Sequence, residues 1–530
     1  MAKTPSCGRS SRATEPVSTP AAASPDRTGE RAGSAGEYRR RDSVTVVDNV
    51  VVSRQPLTAT RLNDAAVALV EALPTGQFRA PERVAAETGH ELDTVERLFE
   101  RLATRDFLEW RPSRDPEHRP PVSVVVTVRN DRENLAHCLD ALAELDYPDS
   151  EVVVVDDGST DGTRELVESR EGAGDEVRLV RVGAPDDPIG IGAARNRGVD
   201  AARHDVIAFT DADCRPRPRW LADLVPCLAV ADLVGGRVRP AGEGAASAYE
   251  GVNSSLDMGA YATRVDPTGR TPYLPTANLV GRRAVFETVR FPERNVAEDV
   301  AVCWGALDAG YAVVYTPRGV VEHAYRDAPR AFAARRGAYG ASEALLASEH
   351  DREDGSVGVP VVALLVAVLA VVGVVGTGTV ATGAVALGVA VLVGTAGLRG
   401  WRGWRRARRL APAVTTSDLA ASWARTRLSS AYALSREVTR YYSLPGAGLA
   451  VGCWLVGPAW VGSAVAAALV GAVGLPAVVE YHVHAPATSR FAYAGYYLAD
   501  HLGYQLGVYR GALAHGTVAH LRPSARFRLT

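Results

Sequence analysis

The stretch Val152-Val-Val-Val-Asp156-Asp157-Gly158-Ser159-Thr160-Asp161-Gly162-Thr163 decides the fold. Four valines running straight into two carboxylates predict a strand buried on both faces that ends at a sheet edge. In open α/β sheets, ligands bind outside that carboxyl edge. Ser159, Thr160 and Asp161 suit the cap of a following helix. Capping does not account for Asp156 and Asp157, which are therefore read as functional residues.

Outward from this strand, short apolar runs alternate with helical patterns. Val122–Val128 reads as a strand before a helix from Arg132 to Ala143, and Val177–Val182 and Val206–Thr210 supply further strands. The alternation predicts an α/β domain with a parallel sheet covered on both faces. A second apolar strand ends in Phe209-Thr-Asp211-Ala-Asp213-Cys214. Two carboxylates one residue apart can share Mg²⁺ or Mn²⁺, with diphosphate oxygens completing the shell. Two acids in a surface turn are the plain alternative.

Three further segments carry two readings each. Gly190-Ile-Gly-Ala-Ala-Arg195-Asn-Arg-Gly198 is either a glycine-rich phosphate loop or an ordinary helix entry. On the first reading Arg195 would grip a diphosphate, because a guanidinium fork matches phosphate oxygens. Glu298-Asp299 either places acid charge at a helix N-terminus or supplies a general base. His323, in Val320-Val-Glu-His323, is either a buried structural histidine or a neutral third metal ligand.

The 530 residues exceed one ordinary domain, and a formal net charge of −2 argues against a nucleic-acid partner. Basic charge is arginine apart from Lys3, and the six cysteines show no C-x-x-C pair or zinc spacing. Residues 1–42, rich in Ser, Pro, Ala, Gly and Arg, read as a disordered tail without a secretory h-region, which predicts a cytosolic soluble part. Residues 43–112 read as strand, three helices and strand, a winged-helix pattern. Mixed charge on its third helix speaks against DNA reading. The proline-rich, charged linker 111–121 then opens the α/β domain, 120–326.

Residues 355–398 and 441–479 contain no charged side chain. The first is long enough for a transmembrane hairpin and the second for one or two short spans broken near Gly457 and Pro458. The intervening segment 399–440, with Arg399, Arg402, Arg405, Arg406, Arg408 and Arg409, is expected on the cytosolic side, as is the tail 480–530. The expected location is therefore the cell membrane, multi-pass, with the α/β domain in the cytosol.

Together, Thr127-Val-Arg-Asn130, V-D-D-G-S-T-D, A-R-N-R-G, D-A-D, E-D and V-E-H resemble the family 2 glycosyltransferases of GT-A fold, over about residues 120–326. The resemblance implies that Thr127, Arg129, Asp156 and Asp157 lie at the donor nucleotide, with Asp211 at the metal and diphosphate. It implies Asp213 and His323 on a divalent cation, Mn or Mg, Asp299 as base, and inversion by direct displacement. Thr127 stands where the family usually has proline, and Arg129 where an aromatic residue is common. Asn278 and Glu298 are expected on the acceptor side.

The whole-chain layout is most similar to the mycofactocin-system glycosyltransferases. That likeness implies a PqqD-like N-terminal unit, a nucleotide-sugar donor such as UDP-glucose, and a peptide-derived acceptor. A polyprenyl-phosphate or polysaccharide acceptor stays open, although the Q-x-x-R-W motif of processive synthases is missing. A non-catalytic peptide-binding membrane scaffold is the reading from a different class.

Overall fold

A computed structural model describes residues 36–54, 57–172, 176–293, 296–325, 328–349, 401, 405, 415–457 and 459–518. The N-terminal unit contains β1 (Gly36–Arg40), β2 (Val44–Val47), β3 (Val50–Arg54), β4 (Leu57–Arg61), α1 (Asp64–Glu71), α2 (Pro81–Thr88), α3 (Leu92–Ala103) and β5 (Leu108–Pro112). Asn63 caps α1, its side chain accepting the Ala66 N–H at 2.9 Å. Val95, Leu98, Phe99 and Leu102 are buried on one face of α3, as their spacing predicts.

Two features depart from expectation. β1 pairs antiparallel with β5, so the tail assigned to 1–42 ends earlier and residues 36–40 belong to this unit. The first strand expected of this unit is instead the hairpin β2–β3, which turns at Asp48 with φ 50°. Aspartate tolerates that left-handed conformation better than most side chains. Residues 1–35 lie outside the described residues.

The large sheet is built on β6 (Val122–Val128), β7 (Ser150–Asp157), β8 (Val177–Val182) and β9 (Val206–Asp211), parallel in the order β9-β6-β7-β8. Helices α4 (Arg132–Ala143), α5 (Thr163–Gly172) and α6 (Ile191–Ala201) connect these strands. The valines of β6 and β7 alternate between faces. Val124, Val126, Val152 and Val154 join one core, while Val125, Val153 and Val155 join the other with Phe209, Phe286 and Phe291. Each such fully buried side chain contributes about 1.5–3 kcal/mol.

Beyond β9 the sheet is mixed. Next come β10 (Cys214–Pro216), α7 (Trp220–Leu224), a 3-10 turn (Val225–Ala229), β11 (Leu233–Gly235), β12 (Val238–Ala241), α8 (Ala245–Asn253) and β13 (Thr263–Arg264). They are followed by β14 (Leu279–Arg282), α9 (Arg283–Thr288), α10 (Glu298–Asp308), β15 (Val313–Tyr315), β16 (Val321–Ala324) and α11 (Pro329–Glu349). β14 runs antiparallel to both β9 and β11. A small second sheet, ordered β10-β16-β12, leans on the first.

The C-terminal part holds the helices Thr416–Glu437, Ser443–Val456, Ala459–His484 and Arg490–His515. A helix thus occupies much of the expected loop 399–440, and another the expected tail 480–530. The expected hairpin 355–398 lies outside the described residues. The apolar block 441–479 does break after Val456, and its second helix runs on to His484. Among the described residues, Ala459–His484 is the one helix long and apolar enough to cross a membrane, 26 residues long with an 18-residue stretch of mean hydropathy 2.0.

The helix Arg490–His515 packs along α11. Gly503, Gly507 and Gly511 form a stripe four residues apart, and a Cβ on Gly507 would lie 1.9 Å from the carbonyl oxygen of Gly337. Only glycine permits backbones this close.

Candidate functional site

The carboxyl ends of β6, β7 and β9 lie side by side, Thr127 opposite Asp211 and Val128 opposite Asp156. The acids singled out in the sequence therefore share one edge, but they divide into two kinds.

Asp156 is fully buried. It accepts the Ser159 N–H at 3.0 Å and an Arg164 N–H at 3.3 Å, so it shapes the turn after β7 and does not face a donor. Asp157 spends one oxygen on the Ile189 N–H at 2.8 Å and the other on the Gly190 N–H at 3.0 Å, fixing the loop that opens α6. Thr127 is half-buried at the edge, and exposed Arg129 donates to the Pro185 carbonyl at 3.1 Å. Asp161 takes the capping role, accepting N–H bonds from Thr163 and Arg132.

Arg195 differs most from its expected role. It is 2% exposed, and its guanidinium donates to Asp211 at 2.8 Å and to Glu298 at 2.7 Å. Burial alone would lower its pKa, but the two carboxylates outweigh that and raise it. Arg195 is thus committed to holding two acids, and is not a free grip for diphosphate. Glu298, correspondingly, is an ion-pair partner and not an open acceptor contact.

Asn278 is corrected in the same way. It is fully buried, accepts from Trp220 Nε1 at 2.8 Å, and donates to the carbonyls of Arg237 at 3.0 Å and Gly319 at 2.7 Å. Its amide joins the two sheets and has nothing left for an acceptor.

Asp213 and His323 meet across the β10–β16 ribbon. Cys214 pairs with His323 in the antiparallel register, and the Ala324 N–H donates to the Asp213 carbonyl at 2.8 Å. His323 Nε2 stands 3.5 Å from Asp213 Oδ1, and its Nδ1 is buried without a partner. Asp213, Cys214 and His323 place one ligand atom each within 4.8 Å of one another. Burial and the nearby Asp213 and Asp211 carboxylates push the Cys214 thiol well up.

Asp299 sits in the first turn of α10, after Ala297 in a left-handed conformation at φ 57°. Burial, then the neighbouring Glu298 charge, pushes its carboxyl up to about 7. The alanine strain is of the kind found where a functional residue must be aimed.

Two residues escaped the sequence reading. Arg335, exposed on α11, lies near enough to Asp213 and Asp211 that, after Tyr339, both favour its charged form. The Tyr273 hydroxyl is pushed well up by burial and then by Asp299. Neither sits in a motif, because each comes from a segment distant in sequence. Cys214, by contrast, directly follows the D-x-D and was within reach.

A family model described as glycosyl transferase family 2 matches residues 123–290. Those residues form a family 2 glycosyltransferase domain. The chain is 33% identical over 324 residues to the pre-mycofactocin glycosyltransferase of Mycobacterium tuberculosis, covering 60% of this chain and 64% of that protein. It therefore spans slightly less than two thirds of that relative. Over 205 residues it is 35% identical to glycosyltransferase AglE of Haloferax volcanii, 37% of this chain and 64% of that one. Among solved structures, mannosyltransferase PcManGT from Pyrobaculum calidifontis, in complex with GDP-Man and Mn²⁺, aligns with a TM-score of 0.38 at 22% identity. That alignment covers 68% of this chain and 96% of that one. The family 2 domain of this chain is thus related to mycofactocin enzymes, and its acids occupy the carboxyl edge of the parallel strands.

Proposed function

We propose that the chain is an inverting hexosyltransferase that moves glucose from UDP-glucose to a hydroxyl of a peptide-derived acceptor, the precursor of mycofactocin. The observation that carries the transferase reading is the meeting of Asp213 with His323, with Asp211 two residues earlier at the end of β9 and the Asp299 carboxyl raised to about 7, on a family 2 domain. The relative in Mycobacterium tuberculosis supports the acceptor class.

The residues fit a hard divalent cation. The Asp213 carboxylate and the His323 imidazole, whose Nδ1 is buried unpartnered, lie together with the Cys214 thiol, and Asp211 ends β9 two residues before Asp213, so oxygen and nitrogen donors are at hand. Asp211, Asp213 and His323 would hold Mn²⁺ or Mg²⁺, which when bound neutralises charge on the departing diphosphate. Arg195 keeps Asp211 aimed at that site, and Asp157 keeps the loop before α6 in place beside it.

Asp299 takes the proton of the acceptor hydroxyl. The acceptor oxygen bonds to the anomeric carbon as the carbon–oxygen bond to the diphosphate breaks. The electron pair leaves with the nucleoside diphosphate, and attack from the opposite face inverts the centre. A base with a pKa near 7 is half ionised at neutral pH, which suits that transfer. The N-terminal unit is assigned the holding of the acceptor peptide, and the exposed apolar side chains Leu455, Val456, Trp460, Val470 and Val483 support a membrane location.

Incubating the purified chain with UDP-glucose, Mn²⁺ and the peptide-derived acceptor tests the acceptor reading by mass spectrometry. Hexose addition to that acceptor is the expected result. Donor turnover with addition only to a polyprenyl phosphate would overturn the acceptor and leave the transferase.

A further inference from the structure

The linker after β5 lines a cavity of about 360 Å³ between the N-terminal unit and the transferase domain, near the lower end of the ~300–1,000 Å³ range of ligand sites. Its walls carry Arg111, Arg114, Arg119, Arg219 and Arg318 against a single carboxylate, Glu37. Glu37 accepts from Arg111 at 2.5 Å. Asp223, just outside, accepts from Arg114 at 3.3 Å and Arg219 at 3.4 Å, and Asp146 lies 3.9 Å from Arg219. The Arg119 guanidinium donates to the Pro116 carbonyl at 3.4 Å and makes no ion pair among the described residues. Arg318 is exposed, and its side chain makes no hydrogen bond or ion pair among the described residues. Arg114 Nε is buried with no partner.

Five guanidinium groups thus face three nearby carboxylates, and the fold holds the excess together. Loss of water, then the charges of Arg114 and Arg111, lowers the pKa of Arg318. A cleft lined by one sign of charge concentrates ions of the other sign within it.

We propose that this cleft binds a phosphate oxyanion, at a site separate from the sugar-donor site. Guanidinium forks match phosphate oxygens in paired hydrogen bonds, and Arg114 Nε and the Arg318 fork are among the donors still unspent. The cleft also lies at one end of the ribbon that carries the reaction's acids. Arg219 follows β10 and Arg318 precedes β16, where Pro216 pairs with Val321, whereas Cys214 pairs with His323 at the other end. A ligand there draws Arg219 and Arg318 together and, through Arg111 and Glu37, ties the N-terminal unit to the transferase domain. Free di- or polyphosphate and the headgroup of an anionic phospholipid offer the same chemistry.

The test is calorimetric titration of the full detergent-purified chain, with chelator present so that the donor site lacks its cation. The probes are inorganic pyrophosphate and, separately, dihexanoyl phosphatidic acid with dihexanoyl phosphatidylcholine as control. Saturable pyrophosphate binding is expected, unchanged in Asp213→Asn and about tenfold or more weaker in the double variant Arg114→Gln/Arg318→Gln. Arg318→Gln alone, which removes no internal bond, should weaken binding without lowering the melting temperature. Binding confined to phosphatidic acid, and lost in the same variants, would place the phosphate on a lipid. Binding of neither probe, or binding that survives the double variant, overturns the proposal.

Discussion

Arg195 joins the D-x-D motif to the acids of α10, a role its own motif did not announce. The A-R-N-R-G segment reads as a phosphate loop because arginine suits phosphate, but burial and two carboxylates claim the side chain first. Arg195→Ala would leave Glu298 and Asp211 without their shared counter-charge. Breaking a buried pair typically costs about 3–5 kcal/mol, reduced here because Asp211 keeps 27% exposure. A lower melting temperature together with weaker metal-dependent turnover is expected, and Arg195→Lys should rescue only part of either. Asp299→Asn should reduce turnover about 10²–10⁴-fold while nucleotide binding persists. Turnover of the native chain should rise with pH and level off above about 7, as Asp299 loses its proton. The stability sign is opposite. The folded chain keeps on Asp299 a proton that the unfolded chain releases from 3.8 upward, so this contribution to stability declines as pH rises from there through about 7. A pH–rate profile flat from 5 to 9 would contradict the base assignment.

At the level of elements, β6, β7 and β9 were legible because valine runs ending in acids constrain both strand and edge. That both acids at the end of β7 are spent on the fold was not, since Asp156 and Asp157 accept N–H groups of loops that follow later in the chain. Asn278 was misjudged because its position between the sheets depends on Trp220 and Gly319, far away in sequence. The helix Arg490–His515 was read as a tail for a related reason. Its glycine stripe has meaning only against α11, and its Asp500 is partnered there. Arg336 pairs with Glu250 at 2.6 Å and Asp500 at 3.2 Å, and Tyr249 donates to Asp500 at 2.8 Å. Gly507→Val would drive a side chain into the Gly337 carbonyl, and backbone cannot yield as a side chain can. Release of that helix is expected, seen as rapid proteolysis near residues 485–515 and a lowered melting temperature, whereas Gly495→Ala, with open space around it, should change neither.

Over the whole molecule, the layout of small unit, transferase domain and apolar C-terminal part follows the composition shifts of the sequence. The helix Arg490–His515 packs against α8 and α11. A chain truncated after residue 484 should therefore lose stability in the transferase domain itself, because α8 and α11 lose their cover from Tyr493, Tyr497 and Asp500. The central claim, however, is that the acids at the carboxyl edge perform metal-assisted sugar transfer. Release of nucleoside diphosphate from UDP-glucose by the full purified chain, with Mn²⁺ or with chelator, tests it most directly when native protein is set beside Asp213→Asn. Release with Mn²⁺ is expected, with loss of release under chelator and in Asp213→Asn despite an unchanged melting temperature. Equal release by the variant, or none by the native chain from UDP-glucose or any other nucleotide sugar with acceptor present, would contradict it.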